Sequence, residues 1–306
     1  MSDMPSWNNR RILITGAQGF IGRHLTKAIA VLNPKELILV GQSVQKYPED
    51  APIAQYVQLD LRNRSAVEDF ARDREFDTIF NLAGKIDQSI RPNIYQEQME
   101  INYLGTLNLV ESFLGKVKHF IQMGSNAEYG NATTPHGPQT VELPNSAYGV
   151  SKLAATKMIL AKRQSENFPG TVVRPFLVFG TGQNERSFLG LIVTSIKESK
   201  VFETTSCTQT RDFTPVEFVV ESLINVDSSD VLLNICSGVE IQLIDVLNTV
   251  SVNFTNFKYE LGKISERKTE LKQSLGLYHN KIKYTKAEVL NLIATYITDS
   301  LKSSGF

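Results

Sequence analysis

The chain has 306 residues, and its 32 basic and 32 acidic side chains cancel to no formal net charge. That balance excludes a broad electrostatic footprint for nucleic acid or an anionic membrane, so a polyanionic ligand must be met by local cations. Two cysteines and four scattered histidines exclude a disulfide framework and argue against a metal centre. With no apolar leader and no charge-free run of membrane-spanning length, a cytoplasmic protein is expected.

The elements alternate from the start. The run RILIT at 11–15 reads as a strand, followed by a glycine-rich turn and a helix over 20–32. Further strands are predicted at 36–40, 56–60, 77–83, 118–124 and 171–178, with long helices at 95–113 and 147–165 between the last three. Short strands rich in β-branched residues, alternating with helices, imply right-handed βαβ units and a Rossmann-type, doubly wound parallel α/β sheet. Beyond 178 the alternation loosens. The expected organisation is a dinucleotide-binding domain over 1–178, with 207–236 returning to it. A smaller, mostly helical C-terminal substrate lobe takes 179–206 and 237–306.

The turn after the first strand reads Thr15-Gly16-Ala17-Gln18-Gly19-Phe20-Ile21-Gly22. Glycines in such a turn let the backbone approach a pyrophosphate and aim the helix N-terminus at it. The second strand ends in Val40-Gly41-Gln42-Ser43 without the acid that would bind the ribose 2′-hydroxyl of NAD. A carboxylate there would repel a 2′-phosphate and neutral donors admit one, which favours NADP(H) over NAD(H). Asp60 reads equally as a partner for the adenine amino group and as the cap of a helix at Ser65-Ala66-Val67.

Tyr148-Gly149-Val150-Ser151-Lys152 opens the long helix, with Tyr148 and Lys152 four apart and therefore on one face. A neighbouring ammonium is expected to lower the phenol pKa and make Tyr148 an acid or base at cellular pH. By itself this spacing is common. Gly124-Ser125-Asn126-Ala127-Glu128-Tyr129-Gly130 follows the fifth strand, at the carboxyl edge where ligands bind in such sheets. Ser125 there can hydrogen-bond the same carbonyl oxygen that Tyr148 protonates.

With these motifs the sequence resembles the extended short-chain dehydrogenase/reductase family, in its nucleotide-sugar branch. The matches run from Thr15 to Gly238. They take in Asn81-Leu82-Ala83-Gly84, Asn102 to Thr106, Gly124 to Gly130, Ser146 to Lys152, Arg174 to Gln183, Gln209 to Phe213 and Asn234 to Gly238. The resemblance implies that Tyr148 is the acid/base, that Lys152 binds the nicotinamide ribose and that Ser125 polarises the sugar carbonyl. Asn102 would help hold the site. Gly16, Gln18, Gly19, Phe20, Ile21, Gly22, Gln42, Ser43, Asp60, Leu61, Leu82, Ala83, Gly84 and Phe176 would line the cofactor. Asn126, Leu177, Arg186 and Arg211 would meet the nucleotide-diphosphate sugar, Arg211 at its diphosphate. Lys85 reads equally as a substrate contact and as an exposed lysine.

Members of this branch epimerise, dehydrate or reduce nucleotide sugars. The similar dehydratases carry a glutamate at the position of Ala127. Glu128, one residue later, should point to the opposite side, which argues against dehydration. No cysteine stands directly after Ser125, and Cys207 lies in a different segment, against a combined 3,5-epimerase/reductase. The expected activity is NADPH-dependent reduction of an NDP-4-keto-6-deoxy sugar, with 4-epimerisation or 4,6-dehydration of a nucleotide sugar, the cofactor recycled, as the alternative. A non-catalytic dinucleotide sensor would lack the Tyr–Lys pair. The two long helices are those that relatives use for a four-helix contact, so a homodimer is expected.

Overall fold

Residues 6–43, 54–267, 270–278 and 284–302 are described by the computed structural model. The strand β1 (Arg11–Thr15) has Ile12, Leu13 and Ile14 fully buried, since both faces of a parallel sheet are covered. It is followed by α1 (Phe20–Val31), β2 (Glu36–Gly41), β3 (Ala54–Gln58), α2 (Arg64–Ala71) and β4 (Phe76–Asn81). Next come α3 (Ile94–Gln98), a π-helical segment (Met99–Leu104), α4 (Gly105–Ser112), β5 (Val117–Met123) and a 3-10 turn (Asn126–Glu128). The helix α5 (Ala147–Glu166), β6 (Gly170–Pro175) and β7 (Leu177–Phe179) complete this stretch.

The remaining elements are α6 (Phe188–Lys197), β8 (Phe202–Glu203), β9 (Thr210–Arg211), β10 (Phe213–Pro215), α7 (Val216–Ile224) and β11 (Leu232–Ile235). They end with β12 (Ile241–Gln242), α8 (Leu243–Asn253), β13 (Tyr259–Glu260) and α9 (Lys286–Lys302). The main sheet has seven strands in the order β11-β6-β5-β4-β1-β2-β3. The chain therefore steps outward from β1 to β3 and returns to β4 on the other side, the switch point of a doubly wound fold. Ile12 registers with Leu37 on one side and Thr78 on the other, so the ends of β1, β2 and β4 lie level.

The chain divides into two units. The first comprises 1–131, 141–174 and 220–233. Its core gathers Leu13, Ile38, Val67, Ile79, Leu109, Phe113, Phe120 and Ile159. Each such side chain contributes about 1.5–3 kcal/mol on leaving water. The second comprises 132–140, 175–219 and 234–306, with α6, α8 and α9 around Phe179, Ile192, Val246, Ile293 and Ile297. The boundaries differ from the expected 1–178 and 207–236. The sixth strand, read as one run over 171–178, breaks after Pro175, and β7 pairs with β10 in its own two-stranded sheet. The segment 132–140 leaves the first unit altogether, which no periodicity announces.

The helix expected at 95–113 is interrupted. Met99 to Leu104 winds as a π segment, and regular α-helix resumes at Gly105. Among the described residues no helix is long and apolar enough to cross a membrane.

Candidate active site

The glycine turn is built as its sequence requires. Gly16 has φ +65°, and a Cβ on it would lie 2.7 Å from the Leu82 carbonyl and the Ala83 nitrogen. The turn thus lies against the end of β4, with Leu82 N–H donating to Thr15 O at 3.2 Å. The cap residue of α1 is Gly19, with no side-chain cap and no acid in the first turn. The leading N–H groups of Phe20, Ile21 and Gly22 are left for an external anion. That arrangement fits the pyrophosphate of NAD(P).

At the end of β2, Gln18 Nε2 donates to Ser43 O at 3.2 Å and Ser43 Oγ to Gln18 Oε1 at 3.2 Å, and Tyr56 Oη also donates to Ser43 O. Gln42 Nε2 donates to Asp60 Oδ1 at 3.2 Å. Asp60 is not a helix cap. Asn63 takes that place, accepting Ala66 N–H at 3.2 Å. Asp60 instead accepts a fork from Arg62, with Nη2 at 2.6 Å, which holds its carboxyl down at about 2. Leu61 is buried beneath this edge, its carbonyl accepting from Asn108 Nδ2 at 2.8 Å.

Helix α5 begins where Ser146 Oγ accepts Gly149 N–H at 3.1 Å. This places Tyr148 and Lys152 in its first turns, both buried. The Tyr148 phenol lies beside the Ser125 side chain, which acts to lower its pKa. Ser125 is the cap of the 3-10 turn, its Oγ accepting Ala127 N–H at 3.1 Å. Asn126 touches the same hydroxyl loosely, Oδ1 lying 3.5 Å from Ser125 Oγ.

Asn102 occupies the π segment. Its Nδ2 donates to Ser151 Oγ at 3.0 Å, Gln98 Oε1 at 3.0 Å and Lys85 O at 3.2 Å, and its Oδ1 accepts Lys85 N–H at 2.9 Å. A Cβ on Gly84 would sit 2.9 Å from Asn102 Oδ1 and 3.5 Å from Lys152 Nζ. Ser125, Tyr148, Lys152, Asn102 and Gly84 therefore form one constellation in the first unit. Lys85 contributes its backbone to Asn102, and its side chain is exposed.

The electrostatics correct the expectation for Tyr148. Burial pushes the phenol up to about 12, with Glu128 adding to the rise and Ser125 opposing it. Burial also pulls Lys152 down to about 8. Desolvation disfavours both charged forms, and it outweighs the mutual effect that helical spacing alone suggests. The phenol is a proton-bearing group throughout the neutral range.

Two residues that lie within the motifs but have no place among the expected catalytic, cofactor or substrate residues stand behind this site. Glu128 and Arg174 have fully buried side chains, and Glu128 Oε2 accepts from Arg174 Nε at 2.8 Å. Arg174 Nη2 also donates to Glu142 Oε1 at 2.8 Å, and its guanidinium lies 4.6 Å from the Tyr129 ring centroid. Glu128 lies in a 3-10 turn and not in the extended backbone that strict alternation assumes, and its carboxylate is engaged by Arg174 and by the Ser125 N–H.

The second unit holds the remaining expected residues. Phe176 is buried with its ring 6.3 Å from that of His136. Leu177 is partly exposed on β7 and Arg186 is exposed, its backbone N–H on Asn184 Oδ1 at 2.9 Å. Arg211 is paired with Glu270, and its Nη1 donates to Thr210 O at 2.8 Å. Beside it, Asp212 accepts from Ser237 N–H at 2.8 Å, Ser237 Oγ at 2.7 Å and Gly238 N–H at 2.9 Å. The 209–213 and 234–238 motifs are thus joined through a buried carboxylate.

Residues 12–226 match the model of the NAD dependent epimerase/dehydratase family. The chain belongs to this family. It is an NAD(P)-dependent oxidoreductase of the extended short-chain dehydrogenase/reductase type. It is similar to GDP-6-deoxy-D-mannose reductase of Pseudomonas aeruginosa, 26% identical over 79% of each chain. It is also similar to a putative UDP-glucose 4-epimerase of Methanocaldococcus jannaschii, 26% identical over 91% of this chain and 92% of that one. Among solved structures, UDP-glucuronic acid 4-epimerase from Bacillus cereus, in complex with UDP-glucuronic acid and NAD, superposes with a TM-score of 0.80. The match covers 94% of this chain and 99% of that one at 21% identity, a likeness of fold.

Proposed function

We propose that the protein is an NADPH-dependent reductase of a nucleotide-linked 4-keto-6-deoxy sugar. The observation that carries this reading is the acid-free end of β2, where Gln18, Gln42 and Ser43 make a neutral, hydrogen-bonded rim. The nearby Asp60 has its charge answered by the Arg62 fork. Such a rim accepts a 2′-phosphate where a carboxylate would repel it, and NADPH suits net reduction.

NADPH, when bound, would supply the hydride for C4 of the sugar. Tyr148 gives its proton to the developing alkoxide, which a phenol held protonated up to about 12 is suited to do. Ser125 hydrogen-bonds the same oxygen and stabilises its growing charge. Lys152 and Asn102 hold the nicotinamide ribose side of the site, and Arg211 takes the diphosphate in exchange for Glu270. The likeness to GDP-6-deoxy-D-mannose reductase supports the direction of the reaction. Glu128 is engaged and Ala127 stands before it, so among the described residues this turn offers no free carboxylate for a C5 proton, which supports the reading against dehydration. We further read the protein as a cytoplasmic homodimer, which light scattering of the purified chain tests.

The experiment is NADPH oxidation against a panel of GDP-, dTDP-, UDP- and CDP-linked 4-keto-6-deoxy sugars. One-for-one consumption of NADPH and ketone is expected. The 4-epimerase reading draws on the M. jannaschii relative. Interconversion of UDP-glucose and UDP-galactose with no net cofactor consumption would establish it instead.

A further inference from the structure

The geometry points to Glu128, locked by Arg174, as a positioning residue that sets the Ser125 hydroxyl. The inference rests on the reading of Ser125 as the hydroxyl that meets the sugar oxygen.

Glu128 spends both carboxylate oxygens on named donors. Oε1 accepts the Ser125 backbone N–H at 2.8 Å, and Oε2 accepts Arg174 Nε at 2.8 Å. One end of the side chain is therefore fixed to β6, and the other clamps the backbone from which the hydroxyl projects. The hydroxyl itself accepts Ala127 N–H at 3.1 Å and donates only loosely, to Asn126 Oδ1 at 3.5 Å, a contact that a substrate oxygen can displace. Arg174 cannot shift away, because Glu142 holds it at 2.8 Å and Glu142 is held in turn by Lys157 at 2.9 Å.

The backbone is shaped to admit the pair. A Cβ on Gly124 would stand 2.6 Å from Glu128 Oε1 and 3.1 Å from Arg174 Cγ. A charged pair with no solvent exposure is costly to bury, and hydrophobic residues of like volume often replace such pairs without loss of stability. Its presence immediately behind the hydroxyl is accounted for by the precision that Ser125 needs. A reacting oxygen displaced by about 1 Å loses on the order of 100-fold in rate.

The test is a double-mutant cycle in the NADPH oxidation assay, run with the 4-keto sugar of the panel that turns over best. Glu128→Gln has only one acceptor oxygen, so its NH2 must face either the Ser125 N–H or Arg174. We expect Ser125→Ala to lower kcat by about 100-fold. Glu128→Gln should lower it by about 10- to 100-fold, with KM and the NADPH Kd within about threefold of the parent. The combined variant should be no slower than Ser125→Ala alone, since the clamp acts through that hydroxyl.

Losses that multiply would assign Glu128 a merely structural role and overturn the inference. So would a Glu128→Gln variant at full rate. Full activity in Ser125→Ala would remove the reading of Ser125, and this inference with it. Should the single variant fold poorly, Glu128→Met/Arg174→Met removes both charges together. A lowered kcat at unchanged NADPH affinity supports the clamp, and a kcat equal to the parent's overturns it.

Discussion

Tyr148, Lys152, Ser125 and Asn102 in the first unit are all buried, and Ser125 and Asn102 are tied to backbone groups as well as to side chains. In the second unit, Arg186 is exposed and Arg211 is already paired with Glu270. The contrast fits the roles proposed for each group. Proton transfer and charge stabilisation require donors set before the ligand arrives, because reorganisation during the reaction adds to the barrier. A charge that grips a diphosphate needs only a partner it can exchange, and a carboxylate keeps it solvated and oriented meanwhile.

Substitutions in the two units should therefore fail differently. The largest effect belongs to Tyr148→Phe, which removes the proposed proton donor and keeps the ring. We expect kcat to fall by about 1,000- to 10,000-fold while NADPH still binds, measured by turnover and by cofactor fluorescence. A near-normal rate would break the first half of the comparison.

Arg211→Gln should act on KM instead, raising it by about 10- to 100-fold at nearly constant kcat, as loss of a charge-assisted contact demands. A fall confined to kcat would place Arg211 with the chemistry. The pH profile sharpens the same division. Lys152 is held down at about 8 and Tyr148 up at about 12, so the rate should decline as pH rises through about 8, where the ammonium is lost. Lys152→Arg keeps its charge at any accessible pH and should move that decline upward by more than about one unit. The smallest effect is expected from Glu270→Gln, which frees Arg211. Nucleoside diphosphate should bind about two- to fivefold tighter, the scale of a partly exposed ion pair, as titration calorimetry would show.

The sequence exposes the features that are local. The glycine turn, the Tyr148–Lys152 spacing and the strand pattern of the sheet each lie within a few residues. Their geometry follows from fixed helix and strand periods. What it conceals depends on distant partners. Glu128 and Arg174 stand 46 residues apart and Arg211 and Glu270 stand 59 apart, so no window contains either pair. The raised phenol pKa is concealed for the same reason, since the burial that causes it is made by the assembled fold. Asp60 is ambiguous in sequence because caps and ligand contacts draw on the same residue types. Asn63, three residues further on, settles the cap by reaching Ala66. The interruption at Met99 escapes the apolar spacing because a π turn changes the register by a single residue.

That single residue has a consequence for chain length. A residue in an α-helix turns the direction of its side chain by about 100°. If one residue were lost between Met99 and Leu104, ordinary helix could run unbroken from α3 into α4, and the core beneath α4 would be satisfied. The flanking helices would keep their facing, since a π turn takes up its extra residue within one turn, but the segment itself would be re-aimed and Asn102 would leave Lys85 and Ser151. Such a shortened chain should fold and melt much like the parent yet turn over poorly. Helix length here is set by chemistry rather than by packing, so a one-residue gap in this stretch of a relative is a sign that its site works differently.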